Sequence, residues 1–171
     1  MMRIAKYLTA GLACMAMLTP AARAQNAACP STKTLDELIH AIDEAVSGPA
    51  NKDRTCFRAL MLPDARLIPV SKAKDGTFHP HVLSVQDWID LVAKRGDTVA
   101  VEHQLSWKSE VYGKIAHLFS TYETRSTADG KPEVRGINSI QAINDGESWH
   151  IMEVVWQAET PENPIPKQYL P

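Results

Sequence analysis

The sequence lacks the features that would assign a reaction directly. It has three cysteines, 6% aromatic residues and no excess of basic residues, with 18 Lys and Arg against 20 Asp and Glu. It contains no glycine-rich phosphate-binding loop, no Gly-x-Ser-x-Gly motif and no Cys-x-x-Cys pair. These absences argue against phosphoryl transfer, serine hydrolysis and a cysteine-ligated zinc site. The sequence is therefore more informative about the compartment and the fold of the protein than about a reaction.

No apolar run is long enough to span a bilayer. Residues 7–18 are apolar, but about a dozen residues fall short of the ~20 that a spanning helix needs. Arg3 and Lys6 precede this run, and Ala22-Arg23-Ala24 follows it, which predicts a secretory signal over residues 1–24. Cys14 leaves a lipoprotein signal open as an alternative, although Gly11 is small for that motif. We expect a periplasmic or secreted protein that has no membrane attachment after cleavage.

The chain that remains after cleavage is acidic and short. The signal would remove three basic residues and no acids, so 15 basic residues would face 20 acidic ones. This balance argues against nucleic-acid binding. The remaining length suits one domain. The expected organisation is an N-terminal segment over residues 25–33, a domain over 34–160 and a proline-rich tail over 161–171.

Cys29 and Cys56 are the two cysteines left in an exported chain, and they predict one disulfide. A bridge would close a loop of about 27 residues and stabilise the fold by roughly 3 kcal/mol in the chain-entropy account. Metal binding is the rival interpretation, but the ligand spacing typical of a structural site is missing. His79 and His81 alone are too few ligands, so no metal is expected.

Helical signals dominate the first half of the domain. Thr34 with Glu37, and Ser84 with Asp87, are capping boxes that predict helix starts, and apolar residues at helical spacing follow each. The remaining predictions for this half are helix ends at Gly48-Pro49 and Gly96, a short helix over 53–61, a short strand over 65–70 with Pro69 at an edge or strand end, and a polar loop over 71–83.

From residue 98 the apolar period changes from 3.6 to 2, which predicts four long antiparallel strands. Asn144-Asp145-Gly146 indicates a tight hairpin between the last two strands. Because the helices come first in the chain and the long meander comes last, the order of elements predicts an α+β domain. In this domain the N-terminal helices pack on a curved, mostly antiparallel sheet to form a cone. The tail has four prolines in its last twelve residues and should lie extended on the surface, held by Ile165, Tyr169 and Leu170.

The strand-rich half also carries a family resemblance. The segments that carry it are Ile115 to Glu123 (IAHLFSTYE), Arg135 to Gln141 (RGINSIQ), Asp145-Gly146 with Trp149, and Asn163-Pro164-Ile165-Pro166 with Tyr169-Leu170. With the order of elements, they resemble the nuclear transport factor 2-like superfamily, in particular its small exported, SnoaL-like bacterial members. The resemblance implies a conical pocket and frequent dimerisation through the outer face of the sheet. Some members are acid–base enzymes that use an Asp, a His or a Tyr in the pocket, and others only bind or assemble, so the fold alone does not decide the function.

Four residues are candidates for acid–base chemistry. His117, in the middle of a strand, would suit a general base near neutral pH. A first turn at residues 112–113 would place His117 near Lys108, and Glu123 near Glu102 or His103. His103 and Glu123 then form either a cross-strand catalytic pair or an exposed ion pair. Glu153 is either a pocket carboxylate of raised pKa or a partner for Arg135.

Candidate ligand contacts are amides and aromatics on the same strands. Asn138 and Gln141 would orient a carbonyl-bearing ligand or satisfy backbone groups near Gly136. Tyr122, Trp107 and Trp156 complete this set, with Trp156 as a pocket wall and Trp107 on the same strand face as His103.

The favoured hypothesis is an exported protein that binds a small apolar ligand in a conical pocket, forms a homodimer, or does both, without a cofactor. The first alternative is a SnoaL-like isomerase, cyclase or dehydratase. The second is a module that recruits another envelope protein.

Overall fold

The computed structural model describes residues 28–171, so the predicted signal over residues 1–24, including Cys14, lies outside the described residues. No helix in the described part is long and apolar enough to cross a membrane. The helices are α1 (Leu35–Val46), α2 (Thr55–Leu60) and α3 (Val85–Ala93), followed near the C-terminus by a 3₁₀ turn (Lys167–Tyr169). The strands are β1 (Gly48–Pro49), β2 (Met61–Lys72), β3 (Phe78–Pro80), β4 (Leu83–Ser84), β5 (Val99–Tyr112), β6 (Ile115–Arg125), β7 (Val134–Asn144) and β8 (Trp149–Ala158).

Both capping boxes form as predicted. The Thr34 hydroxyl accepts a hydrogen bond from the Glu37 amide at 3.1 Å, and the Glu37 carboxylate accepts one from the Thr34 amide at 3.1 Å. Ser84 and Asp87 make the same reciprocal pair at the start of α3. These bonds satisfy amide donors that the first helical turn leaves unpaired. They fix where α1 and α3 begin.

The sheet is an antiparallel meander extended on one side by a parallel strand. The strand order is β1-β5-β6-β7-β8-β2-β3, and β4 also pairs with β2. β5 to β8 pair antiparallel in sequence order, which confirms the predicted meander, and β2 pairs parallel with β8. The α+β architecture with helices on a curved sheet is confirmed.

Strand β2 differs from the prediction. It has twelve residues rather than the expected six, and its 65–70 portion is not at an edge, because β8 lies on one side and β4 and β3 pair with successive parts of the other. Pro69 fits there because it lies opposite Trp156 on one side and, on the other, only accepts a bond from the His81 amide at 3.0 Å. The predicted loop over 71–83 contains the end of β2, all of β3 and the first residue of β4, so it is a hairpin arm rather than an irregular segment.

Besides a register shift between β2 and β8, the described sheet has two irregularities within the antiparallel meander that shift the faces of the strands. The β5–β6 register changes between Gln104 and Ser106, and the β7–β8 register changes between Gln141 and Ala142. At a bulge, the residues on either side of the extra one change faces. The hairpin itself begins at Tyr112 and Ile115, so His117 lies opposite Glu110 and not near Lys108 as predicted.

The core lies between the helices and the inner face of the sheet. Its fully buried members include Leu38 and Ile39 of α1, Leu118 of β6, Ile140 of β7 and Ile151 of β8. The predicted disulfide joins Cys29 to Cys56, with 5.2 Å between their Cα atoms, and ties the N-terminal segment to α2.

The C-terminal tail packs on the outer face of the sheet. Ile165 is buried, and the Tyr169 ring lies 5.0 Å from the Phe119 ring. The Tyr169 carbonyl accepts hydrogen bonds from the hydroxyls of Ser106 and Thr121, at 2.5 and 2.6 Å. Ile165 and Tyr169 hold the tail as predicted, but the tail is not extended throughout, because residues Lys167–Tyr169 form a 3₁₀ turn.

Candidate functional site

A cavity of about 690 Å³ opens between the helices and the inner face of the sheet. It exists because the sheet curves away from the helices and the side chains between them do not fill the space. Its walls are mainly apolar and come from every layer of the fold. They include Ile42 of α1, Phe57 of α2, Leu67 of β2, Trp88 of α3, Ile140 of β7 and Trp156 of β8.

Glu102 is a carboxylate on the wall of this mainly apolar cavity. It lies on β5, two residues before the bulged stretch that begins at Gln104. Its backbone is fixed to the end of α1, since its amide donates to the Ser47 hydroxyl at 2.9 Å. The Gln104 side-chain amide donates to the Glu102 carboxylate at 3.0 Å. The carboxylate is therefore held in place rather than free to swing into solvent.

Gln104 is the centre of a buried polar network. Its side-chain carbonyl accepts hydrogen bonds from the Ser120 hydroxyl at 2.6 Å and from the Asn138 amide at 3.2 Å. Its backbone amide donates to the Asp43 carboxylate of α1 at 3.0 Å. These partners require the Gln104 side chain to present its NH₂ group to Glu102. The network joins α1, β5, β6 and β7 beside the cavity.

Burial dominates the electrostatics of this network. Loss of solvent, and secondarily the nearby Asp43 charge, raises the pKa of Glu102 from 4.5 to about 7. Burial also raises the pKa of Asp43, although hydrogen bonds from Gln104 oppose the change. The pKa of the Tyr122 phenol is raised by burial and then by the Glu102 charge. Near neutral pH, Glu102 is thus present in both protonation states and can give or take a proton.

Tyr122 reaches this region because its strand partner is glycine. Gly136 lies directly opposite Tyr122 on β7. A Cβ atom at Gly136 would stand 2.7 Å from the Tyr122 hydroxyl and 2.4 Å from the Gln157 carbonyl oxygen. Any side chain at this position would displace the tyrosine from the cavity wall, so the glycine is needed for the ring's position.

Another part of the wall is cationic. Arg54, Lys94 and Arg95 line the cavity. Arg54 is 5% exposed, and it donates to the carbonyls of Ala45 and Val46 at 2.6 and 2.9 Å, at the C-terminal end of α1. Cations are favoured at that end of a helix. The guanidinium also lies 5.6 Å from the centre of the Trp88 ring.

Of the predicted ligand contacts, Asn138, Tyr122 and Trp156 lie on the cavity wall. Gln141 does not, because it alternates with the buried Ile140 and faces outward. Trp107 lies on the inner face against α1, where its indole nitrogen donates to Asp36 at 3.3 Å. The prediction that Trp107 shares a face with His103 is wrong, because the β5 bulge lies between them.

The four acid–base candidates lie on the outer face of the sheet. His117 and Glu123 alternate with the cavity-side residues of β6, and His103 and Glu153 pair with outward-facing partners. The His117 ring is 3.0 Å from the Ser139 hydroxyl. None of the four is among the residues that line the cavity within residues 28–171.

The proposed partners of these candidates also differ in the structure. Glu123 lies opposite His103 as predicted, but its carboxylate binds Arg125 of its own strand, and Glu123 is 4% exposed rather than an open surface group. Arg135 binds Glu159 at 2.6 Å and not Glu153.

Sequence reasoning missed Glu102, Gln104 and Asp43 as site residues. Strict alternation along β5 groups Val101, His103 and Leu105 as the more apolar set and so directs Glu102 away from the core. One signal in the sequence could have identified these residues. Ala100, Glu102 and Gln104 share the opposite face of β5, where an acidic residue and an amide lie together ahead of a break in the alternation.

The fold is shared with solved structures that have little sequence in common with this chain. An NTF2-like protein of unknown function from Shewanella baltica is 14% identical, with a TM-score of 0.50, over 74% of this chain and 91% of its own. The chain has the nuclear transport factor 2-like fold.

Two further structures show how widely this nuclear transport factor 2-like fold is used. A protein with a cystatin-like fold from Caulobacter vibrioides is 13% identical, with a TM-score of 0.51, over 75% of this chain and 89% of its own. The CaMKII hub of S. rosetta is 12% identical, with a TM-score of 0.55, over 75% of this chain and 96% of its own. No protein-family model and no curated protein matches the sequence.

Proposed function

We propose that this protein binds a small, largely apolar ligand in the cavity between its helices and its sheet. The observation that carries the proposal is the cavity itself, about 690 Å³ in size and lined mainly by aliphatic and aromatic side chains. Apolar cavities of this size with a few fixed polar groups are the usual form of small-molecule sites. Glu102 and Asn138 supply such groups, and hydrogen bonds with Gln104 hold both side chains in place.

Binding of the neutral fluorescent probe N-phenyl-1-naphthylamine tests this proposal. We expect enhanced probe fluorescence with the wild-type protein and a loss of most of it in Val154→Trp, because the larger ring would fill the cavity. Val111→Trp adds the same ring at an exposed site on β5 and serves as the matched control. Equal probe binding by all three proteins would place the probe outside the cavity and would contradict the proposal.

The second candidate function is acid–base catalysis on a ligand in the same cavity. The observation that favours it is Glu102, whose pKa of about 7 suits proton transfer near neutral pH. A carboxylate of this kind can remove a proton from a carbon next to a carbonyl and return it elsewhere. Asn138 and Tyr122 also line the cavity, where their N–H and O–H groups can donate to the carbonyl oxygen.

Exchange of ketone α-protons in D₂O, followed by NMR with 2-decalone as the probe, tests the catalytic candidate. The exchange should be faster than in buffer with the wild-type protein and should return to the buffer rate in Glu102→Gln. His117→Gln, on the outer face, should keep the wild-type rate. Acceleration that survives Glu102→Gln but is lost in His117→Gln would overturn the assignment to Glu102.

The interaction-module alternative is less well supported. It predicts a cone filled with side chains and an open apolar outer face, whereas the cone is hollow and the tail covers part of the outer face around Phe119.

Export stays part of the proposal and is supported by the Cys29–Cys56 disulfide, a bond typical of oxidising compartments. Intact mass measurement of the periplasmic fraction tests it, with a chain that starts at Gln25 and carries the bridge as the expected result.

A homodimer also stays part of the proposal. Exposed apolar side chains at the β5–β6 hairpin support it, namely Val111, Tyr112 and Ile115. Sedimentation equilibrium is expected to give twice the mass of one chain, and a monomer at all concentrations would contradict this part.

A further inference from the structure

Four cationic residues gather at one end of the cavity, and we call Lys52, Arg54, Lys94 and Arg95 the cation cluster. Arg54, Lys94 and Arg95 line the cavity directly. Lys52 lies across Gly48, a cavity-lining residue, with its Cδ 3.1 Å from where a Cβ on that glycine would stand.

Backbone hydrogen bonds bring the two halves of the cluster together. The Asn51 amide donates to the Gly96 carbonyl at 3.1 Å, and the Ala50 amide donates to the Thr98 carbonyl at 2.9 Å. The segment before α2 is therefore fastened to the segment after α3. This arrangement is a fixed feature of the fold and not a chance meeting of long side chains.

Carboxylates balance the cluster only in part, since the charge of Glu44 acts to raise the pKa of Lys52 against the effects of burial and Arg54. None of the ion pairs within residues 28–171 includes any of its four members. Burial, and then the charge of Arg54, lowers the pKa of Lys52. Burial, and then the charge of Arg95, lowers the pKa of Arg54. The members repel one another, and a bound anion would remove that cost.

Arg54 has hydrogen-bonding capacity that the protein does not use. A guanidinium has five N–H donors. Those of Arg54 bond to the carbonyls of Ala45, Val46 and, at 3.4 Å, Pro49, while its buried Nε has no partner in the described part of the chain. The carbonyls hold the side chain in place, but they carry only partial charges. A buried cation without a full counter-charge is costly unless a ligand supplies one.

Most of the cavity wall is apolar, so a ligand that meets the cluster must also bury an apolar body. We infer that the cavity takes an amphipathic anion, a small molecule with an apolar body and one carboxylate, and that the cation cluster holds the carboxylate. Lys94 and Arg95 are exposed and make the direct contacts, while Arg54 lies behind them as the buried charge. Arginine's planar fork suits a carboxylate in particular. This inference rests on the proposed ligand-binding function and names the class of ligand.

Calorimetric titration with decanoate and 1-decanol tests the inference, because these two probes share a chain and differ in the head group. The wild-type protein should bind decanoate at least about tenfold more tightly than decanol. The double variant Lys94→Gln/Arg95→Gln should lose most of this preference while its decanol affinity stays the same. Raising the salt concentration should weaken decanoate binding only, because the cluster opens to solvent.

Arg58→Gln is the matched control, since Arg58 is exposed on α2 and does not line the cavity. It should keep the full preference for decanoate. Equal affinity of the wild-type protein for the two probes would overturn the inference and leave the cavity's ligand-binding role intact. An equal loss of the preference in the double variant and in Arg58→Gln would also overturn the inference and leave the ligand-binding role intact. If neither decanoate, decanol nor N-phenyl-1-naphthylamine binds, the proposed function is wrong as well.

Discussion

At the scale of single residues, Glu102 makes the stability of the protein depend on pH. Its pKa is raised from 4.5 to about 7, so the folded state holds this proton more tightly than the unfolded state. The contribution of Glu102 to the free energy of unfolding is therefore greatest below pH 4.5 and is lost as the pH rises through about 7. The full loss is on the order of 3 kcal/mol.

Replacing Glu102 with Gln removes this cost but keeps the shape of the side chain. We expect Glu102→Gln to match the wild-type stability near pH 5 and to exceed it at pH 8 by up to roughly 3 kcal/mol in urea unfolding. Glu110→Gln, at an exposed position on the same strand, should show no such pH-dependent gain. If Glu102→Gln were less stable than wild type at pH 8, the carboxylate would be satisfied in its charged form and our account of the site would be wrong.

The residues of the site were harder to predict than the fold because local irregularities decide which way a side chain faces. Asn138, Tyr122 and Trp156 follow the regular alternation of β6 to β8, and sequence reasoning identified them as pocket candidates. Trp107 lies beyond the β5 bulge, so it does not share a face with His103 as strict alternation predicts. Glu102 was overlooked because its cost of burial is visible only when Asp43 and Gln104 are placed around it.

At the scale of secondary-structure elements, the tail acts as an outer layer of the sheet, with Ile165 as its most buried apolar residue. Ile165→Ala removes that anchor, and we expect the tail to detach more often. The readout is trypsin cleavage after Lys167, which releases residues 168–171 and can be followed by mass spectrometry. Lys167 lies in the exposed 3₁₀ turn, and cleavage requires that turn to open.

The matched control for the tail is Pro166→Ala, a neighbouring exposed position that does not remove a buried side chain. Faster cleavage in Ile165→Ala than in Pro166→Ala supports the anchoring role. Equal rates would mean that the hydrogen bonds to the Tyr169 carbonyl, and not burial of Ile165, hold the tail.

Sequence patterns predicted most elements because their signals are local. Capping boxes located α1 and α3, and alternation with turn residues located β5 to β8. Strand β2 was predicted at half its length, since its parallel pairing with β8 joins residues about 90 positions apart and leaves no local signal. Parallel pairing depends on the whole chain rather than on a turn.

At the scale of the whole molecule, the disulfide closes the N-terminal segment onto the helices. It spans 27 residues, and the same segment is also held by a hydrogen bond from the Trp149 amide to the Thr32 carbonyl at 2.7 Å. We therefore expect the folded segment to keep its contacts when the bridge is removed. The protein then loses stability mainly because the unfolded chain gains conformational freedom. In the chain-entropy account, Cys29→Ser with Cys56→Ser should lower the free energy of unfolding by about 3 kcal/mol.

Urea unfolding measures this loss, and reduction provides the control. Wild-type protein treated with dithiothreitol should reach the stability of the double serine variant, and dithiothreitol should have no effect on the variant itself. The unfolding free energy should depend less steeply on urea concentration in the oxidised protein than in the reduced protein, because the cross-linked unfolded chain exposes less surface. A loss well below 1 kcal/mol would contradict this account, because it would mean that the N-terminal segment also gains freedom in the folded protein when the bridge is removed, despite the Thr32 contact.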